Sequence, residues 1–100
     1  MQIRILYFDG CPHWREAAES VRRIAARLAV RETVECIPVS SIEDATRHRF
    51  LGSPSIQIDG IDIEPSARRR TDFTLACRIY GSSGVPPSDM IESAIREASA

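Results

Sequence analysis

Residues 2–28 read QIRILYFDGCPHWREAAESVRRIAARL, and this stretch decides the fold. Strand formers fill residues 2–8, with apolar side chains on both faces, which predicts an inner strand covered on both sides. Asp9-Gly10 breaks that run. Apolar residues then recur at steps of three and four over residues 13–30, which predicts a helix. Pro12 suits the first helical turn, where its missing N–H is not needed.

The remaining chain continues the alternation of strands and helices. A second strand is predicted over residues 33–39, and Pro38 within it favours an edge position or a strand end. Ser41 is a candidate cap for a helix from residue 42 to about residue 50, with Asp44 as its capping-box partner.

The second half of the chain begins with a hairpin. Asp59-Gly60 separates the strand candidates SIQI and IDI and is a strong hairpin signal. An irregular stretch, 65–87, follows, and Ser88 is predicted to cap a last helix through residue 98, with Ala98 on its buried side. The order βαβαββα predicts an α/β fold with a mixed four-stranded sheet flanked by helices, and the first two strands should be parallel.

Composition limits the possible functions. The chain of 100 residues has the size of a single domain, predicted here as 1–100. Its net charge of -1 makes nucleic acid or an anionic membrane a poor partner. No apolar run approaches the roughly 20 residues of a membrane span. The opening residues lack the long apolar stretch of a secretory signal, so the expected location is cytoplasmic.

The three cysteines differ in their surroundings. An odd number argues against a structural disulfide framework. Cys36 lies in an apolar strand candidate and resembles a small buried hydrophobe. Cys77 allows two interpretations: a buried residue in an apolar patch with Leu75, Ile79 and Tyr80, or a thiol brought near Cys11 by folding of the irregular stretch over the sheet edge.

Cys11 is the candidate reactive thiol because it lies between a strand end and a helix start. The unpaired N–H groups and the positive end of the helix dipole favour ionisation of a thiol there. A protonated His13 would add positive charge, whereas Asp9 would oppose it. The alternative is that Cys11 is only a small residue at a helix cap.

Ser53-Pro54-Ser55 precedes the first hairpin strand and is the second candidate feature. The Ser53–Pro54 bond is a candidate for the cis isomer. Pro54 would hold neighbouring backbone ready to pair with a thiol substrate, and Ser53 and Ser55 are candidate contacts for a thiol co-substrate. The simpler interpretation is a rigid entry into the strand.

Taken together, a Cys-Pro pair after the first strand, a Ser-Pro pair before the third and the element order resemble the thioredoxin-like superfamily. FDGCPHW, FLGSPSIQIDGIDI and CRIY are similar to small bacterial thioredoxin- or glutaredoxin-like proteins, some of which carry an alkylmercury lyase label. Redox members of the superfamily typically have Cys-x-x-Cys at this helix. Here Trp14 occupies the position of the second cysteine and is predicted as an apolar anchor of the helix.

The resemblance implies thiol–disulfide exchange by a single thiol. Cys11 would be the nucleophile, Pro12 would shape the helix start, His13 would tune the thiolate and Pro54 would orient the partner. Protein or small-molecule disulfides are the implied partners, glutathione or another low-molecular-weight thiol is the implied co-substrate, and no cofactor is implied. If the irregular stretch instead brings Cys77 close to Cys11, Cys77 would serve as a distant resolving cysteine.

Two alternatives remain at this stage. One is a non-catalytic binding module. The other is handling of an organomercurial or soft metal by Cys11 and Cys77. The scattered Cys and His residues lack the spacing of a structural zinc site. Arg68-Arg69-Arg70 is predicted as a solvated loop, with contact to glutathione carboxylates as a second interpretation.

Overall fold

Seven regular elements follow one another within residues 1–100, all of which the computed structural model describes. They are β1 (Gln2–Tyr7), α1 (Trp14–Arg27), β2 (Thr33–Pro38), α2 (Ile42–His48), β3 (Ser55–Ile58), β4 (Ile61–Asp62) and α3 (Ser88–Ser99), with a short 3₁₀ turn at Pro65–Ala67. None of the helices combines the length and apolar character that a bilayer crossing requires.

The strands form one mixed sheet in the order β2-β1-β3-β4. β1 is parallel to β2 and antiparallel to β3, which confirms the predicted mixed four-stranded sheet, the parallel first pair and the inner position of the first strand. β2 lies at an edge and ends at Pro38, as its proline predicts. Asp59 (φ 51°) and Gly60 (φ 83°) are both left-handed, the backbone that a two-residue hairpin turn requires.

The larger core lies on the face of the sheet covered by α1 and α3. Ile3 and Ile5 of β1 and Ile56 and Ile58 of β3 point to this face because they alternate along their strands. The helices contribute residues at spacings of three and four, namely Ala17, Ala18, Val21, Ile24, Ala25, Ile91, Ala94 and Ile95. Burial of this stripe, rather than intrinsic helix propensity, holds both helices.

A smaller core lies on the opposite face, under α2. Leu6, Val39, Ala45 and Phe50 form it, and each is at most 1% exposed. Ser41 caps α2, since its hydroxyl accepts the N–H of Asp44 at 3.0 Å. The helix ends at Arg49, whose φ of 56° is left-handed.

Three helix-end predictions were wrong. Trp14 is only half-buried and lies outside the core, where its ring stacks on Tyr7 with centroids 4.0 Å apart and planes 13° apart. Pro87, not Ser88, occupies the N-cap position of α3. Ala98 is exposed. Ala98 lies in the last turn of α3, beyond Ile95, which is the last buried residue of that helix.

We expect Phe50→Ala to lower the free energy of unfolding by about 3–5 kcal/mol, because Phe50 is 0% exposed in the small core and its loss leaves a cavity. Urea denaturation measures this change. Ile42→Ala is the control: Ile42 is 57% exposed on the neighbouring helix, so its truncation should cost less than about 0.5 kcal/mol. Equal losses in the two variants would contradict the assignment of this second core.

Candidate functional site at the Cys11 loop

Cys11 lies on the connection between the central strand β1 and helix α1. Gly10 has a φ of 95°, and the N–H of Cys11 donates to the carbonyl of Phe8 at 3.2 Å, so the chain turns sharply there. His13 occupies the N-cap position of α1. Pro12 therefore precedes the cap and does not lie in the first turn as predicted. The Cys11 residue is buried, with 6% exposure.

Ser53 lies beside this loop. The antiparallel register that pairs Leu6 with Ser55 brings Ser53 next to Phe8, whose N–H donates to the Ser53 hydroxyl at 3.4 Å. The Ser53–Pro54 peptide bond is cis. Ser55 is buried and donates its hydroxyl to the carbonyl of Gly52 at 2.6 Å. The structure thus brings the Cys11 loop and the Ser53-Pro54 pair to one end of the sheet.

A return segment, residues 74–80, pairs with the chain on the other side of Ser53. The N–H of Ser53 donates to the carbonyl of Ala76 at 2.8 Å, and the N–H of Arg78 donates to the carbonyl of Ser53 at 2.9 Å. These bonds form a parallel bridge between Ser53 and Cys77. Both backbone polar groups of Ser53 are therefore occupied within the chain.

Gly52 permits this close approach. Its φ is 116°, and a Cβ at this position would lie 3.0 Å from the carbonyl oxygen of Ala76 and 3.0 Å from Cβ of Arg78. Only glycine adopts this conformation readily. A side chain here would push the return segment away from Ser53.

Residues 77–80 of the return segment alternate between exposed and buried. Arg78 and Tyr80 are buried, whereas Cys77 and Ile79 point outward and are exposed. The predicted apolar patch around Cys77 is therefore wrong, because the bridge to Ser53 directs the neighbouring Arg78 inward. The irregular stretch does fold back on the sheet edge, and Cys11, Cys36 and Cys77 are all free thiols.

Arg78 fastens the return segment through a buried network. Its guanidinium donates to both carboxylate oxygens of Asp62 at 2.8 and 2.9 Å, to Glu64 at 2.9 Å and to the hydroxyl of Ser55 at 3.1 Å. The side chains of Arg78 and Asp62 are 4% and 7% exposed. Desolvation lowers the pKa of Arg78, but hydrogen bonds and charge from the two carboxylates raise it above the ordinary value.

Tyr80 makes the second attachment. Its hydroxyl donates to the carbonyl of Pro54 at 2.6 Å, and its ring lies 4.6 Å from the Arg78 guanidinium carbon. Burial raises the pKa of the Tyr80 hydroxyl well above its ordinary value. The return segment is thus held at both Ser55 and Pro54, next to the Cys11 loop.

The turn after Tyr80 covers His13. Tyr80 and Ser83 exchange backbone hydrogen bonds, and a Cβ at Gly84 would lie 2.4 Å from Cδ2 of His13. The imidazole is half-buried against this backbone. His13 is therefore placed by tertiary contact as well as by its position at the helix start.

Sequence reasoning missed Arg78 and Asp62, since charged residues in a loop and on a short edge strand are usually solvated. The signal available in the sequence was that Arg78 and Tyr80 are two residues apart and would therefore share one face of an extended segment. Arg69 and Arg70 are exposed, in agreement with the predicted solvated loop, whereas Arg68 is half-buried. Arg68 and Arg70 each form a bidentate ion pair, with Glu97 and Asp72 respectively. Cys36 is half-buried, with its sulfur 3.9 Å from an Arg22 guanidinium nitrogen.

No group of three or more Cys, His, Asp or Glu side chains is arranged to hold a metal ion. Comparison of the chain with protein-family models, with curated proteins and with solved structures finds no match. The functional assignment consequently rests on the geometry around Cys11.

Arg78→Met should lower the free energy of unfolding by about 3–5 kcal/mol, because it leaves the Asp62 carboxylate buried without its partner. Chemical denaturation provides the measurement. Arg70→Met removes an exposed pair of the same type and should cost far less. Similar losses in the two variants would show that the buried Arg78 pair contributes no more to the free energy of unfolding than the exposed Arg70 pair.

Tyr80 makes stability sensitive to alkaline pH. The folded state keeps this hydroxyl protonated above the ordinary pKa of 10.0, whereas the unfolded chain ionises there, so stability should fall as pH rises past about 10. Tyr80→Phe should make this decline shallower and cost about 1–2 kcal/mol near pH 7 by leaving the Pro54 carbonyl without its partner. Denaturation curves from about pH 8 to about pH 11 test both effects, and an unchanged alkaline slope would refute the first.

Proposed function

We propose that this chain is a small thioredoxin-like protein whose Cys11 carries out thiol–disulfide exchange as a single thiol. The observation that carries the proposal is the location of Cys11, two residues before the N-cap of a 14-residue helix and on the loop whose Phe8 N–H donates to the Ser53 hydroxyl. Unpaired N–H groups and the helix dipole stabilise a thiolate near such a helix start.

The thioredoxin-like arrangement is supported at the level of architecture. A central strand is parallel to one neighbour and antiparallel to the other, and helices cover both faces. The Cys-Pro pair follows the first strand, and the Ser-Pro pair precedes the third. The superfamily resemblance of the sequence therefore concerns residues that occupy one end of the sheet.

The proposed reaction proceeds in two exchanges. The Cys11 thiolate attacks the glutathione sulfur of a mixed disulfide, the old S–S bond breaks, and the substrate leaves as a thiolate that takes a proton from water. A second glutathione thiolate then attacks the new Cys11–glutathione disulfide. Glutathione disulfide forms and Cys11 returns as a thiolate. In the net reaction one free glutathione thiol is oxidised into glutathione disulfide and one substrate thiol is released.

Small disulfides fit the site better than extended polypeptides. An extended chain binds a sheet edge through unpaired backbone groups, but residues 76 and 78 already occupy those of Ser53. Ser53 and Ser55, the predicted contacts for a thiol co-substrate, are likewise buried and bonded within the chain. Contact with either serine requires the return segment to move.

Cys77 offers an internal route for the second exchange. It lies opposite Ser53 and is exposed. Attack by the Cys77 thiolate on the Cys11 sulfur would release glutathione and form a Cys11–Cys77 disulfide, which a further thiol would have to reduce. The two routes differ in their need for Cys77.

A binding module without turnover is the second candidate function. The 6% exposure of Cys11 favours it, because a nucleophile must reach its substrate. In this case the exposed Cys77 and Ile79 would form the accessible surface, and Cys11 would serve only as a small residue at the turn.

The test measures the release of glutathione from a glutathionylated peptide in the presence of excess glutathione. The rate of the same reaction without protein is the background. Wild type should accelerate release, and Cys11→Ser should return the rate to that background. Cys36→Ser is the matched control and should keep the wild-type rate, since Cys36 lies on the edge strand β2. Cys77→Ser should keep the wild-type rate if external glutathione attacks the Cys11–glutathione disulfide. It should lower the rate if Cys77 makes that attack.

Two outcomes contradict exchange by Cys11. Turnover that persists in Cys11→Ser places the chemistry elsewhere. A wild-type protein that is folded by circular dichroism yet gives no turnover supports the binding module.

A further inference from the structure

A cavity of about 320 Å³ lies on the α2 face of the sheet, away from the Cys11 loop. Its walls come from the end of α2, the β3–β4 turn and residues 67–73. Gln57 lines it and pairs with Arg4, whereas the Cys11 end of β3 begins at Ser55. No residue of the Cys11 loop contributes, so this cavity is separate from the proposed exchange site and does not depend on it.

Three arginines, Arg49, Arg68 and Arg70, line this cavity. The only carboxylate in its wall, Asp62, is already bonded to Arg78. Arg49 has no ion-pair partner, and its guanidinium carbon lies 5.1 Å from the Phe73 ring centroid. Arg49 therefore contributes the one positive charge of the wall that no carboxylate compensates, in a chain whose net charge is -1.

The other two arginines have exchangeable counter-ions. Glu97, the partner of Arg68, and Asp72, the partner of Arg70, have side chains 62% and 65% exposed. Such exposed pairs contribute little free energy. A ligand oxyanion can consequently take over guanidinium donors from them at small cost, and planar guanidinium groups match carboxylate and phosphate oxygens.

Arg49 is held firmly by the backbone around it. Its own left-handed φ of 56° ends α2, and the N–H of Phe50 donates back to Ala45 at 2.8 Å. The buried Gln57 amide donates to the carbonyl of His48 at 2.8 Å. A left-handed residue is a common way for a helix to end, so the end of α2 fixes the backbone at Arg49.

The apolar part of the wall comes from Leu51, Ile61, Ala67 and Phe73. The cavity volume of about 320 Å³ lies at the small end of the range for small-molecule sites, whose walls are mostly apolar with a few polar groups. We propose that this cavity binds a small organic oxyanion, with its phosphate or carboxylate group held by Arg49, Arg68 and Arg70 and its apolar body against Leu51 and Ile61.

NMR titration at constant ionic strength tests the proposal with phenyl phosphate and benzoate as probes, and with benzyl alcohol as the neutral analogue. Either oxyanion should shift the Gln57 side-chain amide and the Phe73 ring signals in a saturable manner, whereas benzyl alcohol should not. The tighter of the two probes identifies phosphate or carboxylate as the preferred group.

Variants separate a built site from general charge attraction. Arg49→Gln and Arg70→Gln should each weaken the tighter probe about tenfold, the size expected from a lost charge-assisted hydrogen bond. Arg69→Gln removes the same charge from the same triplet, but Arg69 is exposed and does not line the cavity, so the affinity should change less than about twofold.

Three results would overturn the proposal. One is the absence of saturable shifts at Gln57 and Phe73 with both oxyanions. Another is equal binding of benzyl alcohol. The third is a loss in Arg69→Gln as large as that in the two cavity variants, because it would show that net charge alone attracts the probe. Two cavity variants are used so that misfolding of one, detected in its NMR spectrum, leaves the other as the test.

Discussion

The buried ion pair between Arg78 and Asp62 holds the return segment on the sheet, and the arrangement at the Cys11 end depends on this attachment. Removing two charges from water is costly unless nearby groups satisfy them. Here Asp62, Glu64 and Ser55 accept four hydrogen bonds from one guanidinium, although its Nε has no partner. The pair therefore fixes the position of the return segment. The bond from Tyr80 to Pro54 and the contact of Gly84 with His13 depend on that position.

Once the return segment is in place, Ser53 lies between two neighbours. Phe8 of the Cys11 loop bonds to its hydroxyl, and residues 76 and 78 bond to its backbone. The chain thus completes its own sheet edge at the point where an extended partner would otherwise bind. For the proposed exchange reaction, this internal pairing favours small disulfides, which need little backbone contact, over extended polypeptides.

The two proposed sites lie in different parts of the fold. The face covered by α1 and α3 is closed by a large apolar core, and the thiol lies at the start of α1. The α2 face has a smaller core and leaves a cavity toward the β3–β4 turn. Arg49, Arg68 and Arg70 line this cavity. A short helix that covers only part of a sheet face leaves such a space, because its apolar side is too small to fill it.

The sequence by itself determined the strands, the main helices, the hairpin turn and the position of Cys11 before α1, because these follow from local alternation, helical spacing and the backbone preferences of Gly, Pro and Asp. It also placed β1 inside the sheet, since both of its faces are apolar. It did not determine the exposure of Cys77, the burial of Arg78 and Asp62 or the stacking of Trp14 on Tyr7. Those depend on contacts between residues far apart in the chain, and only the tertiary structure brings their partners together.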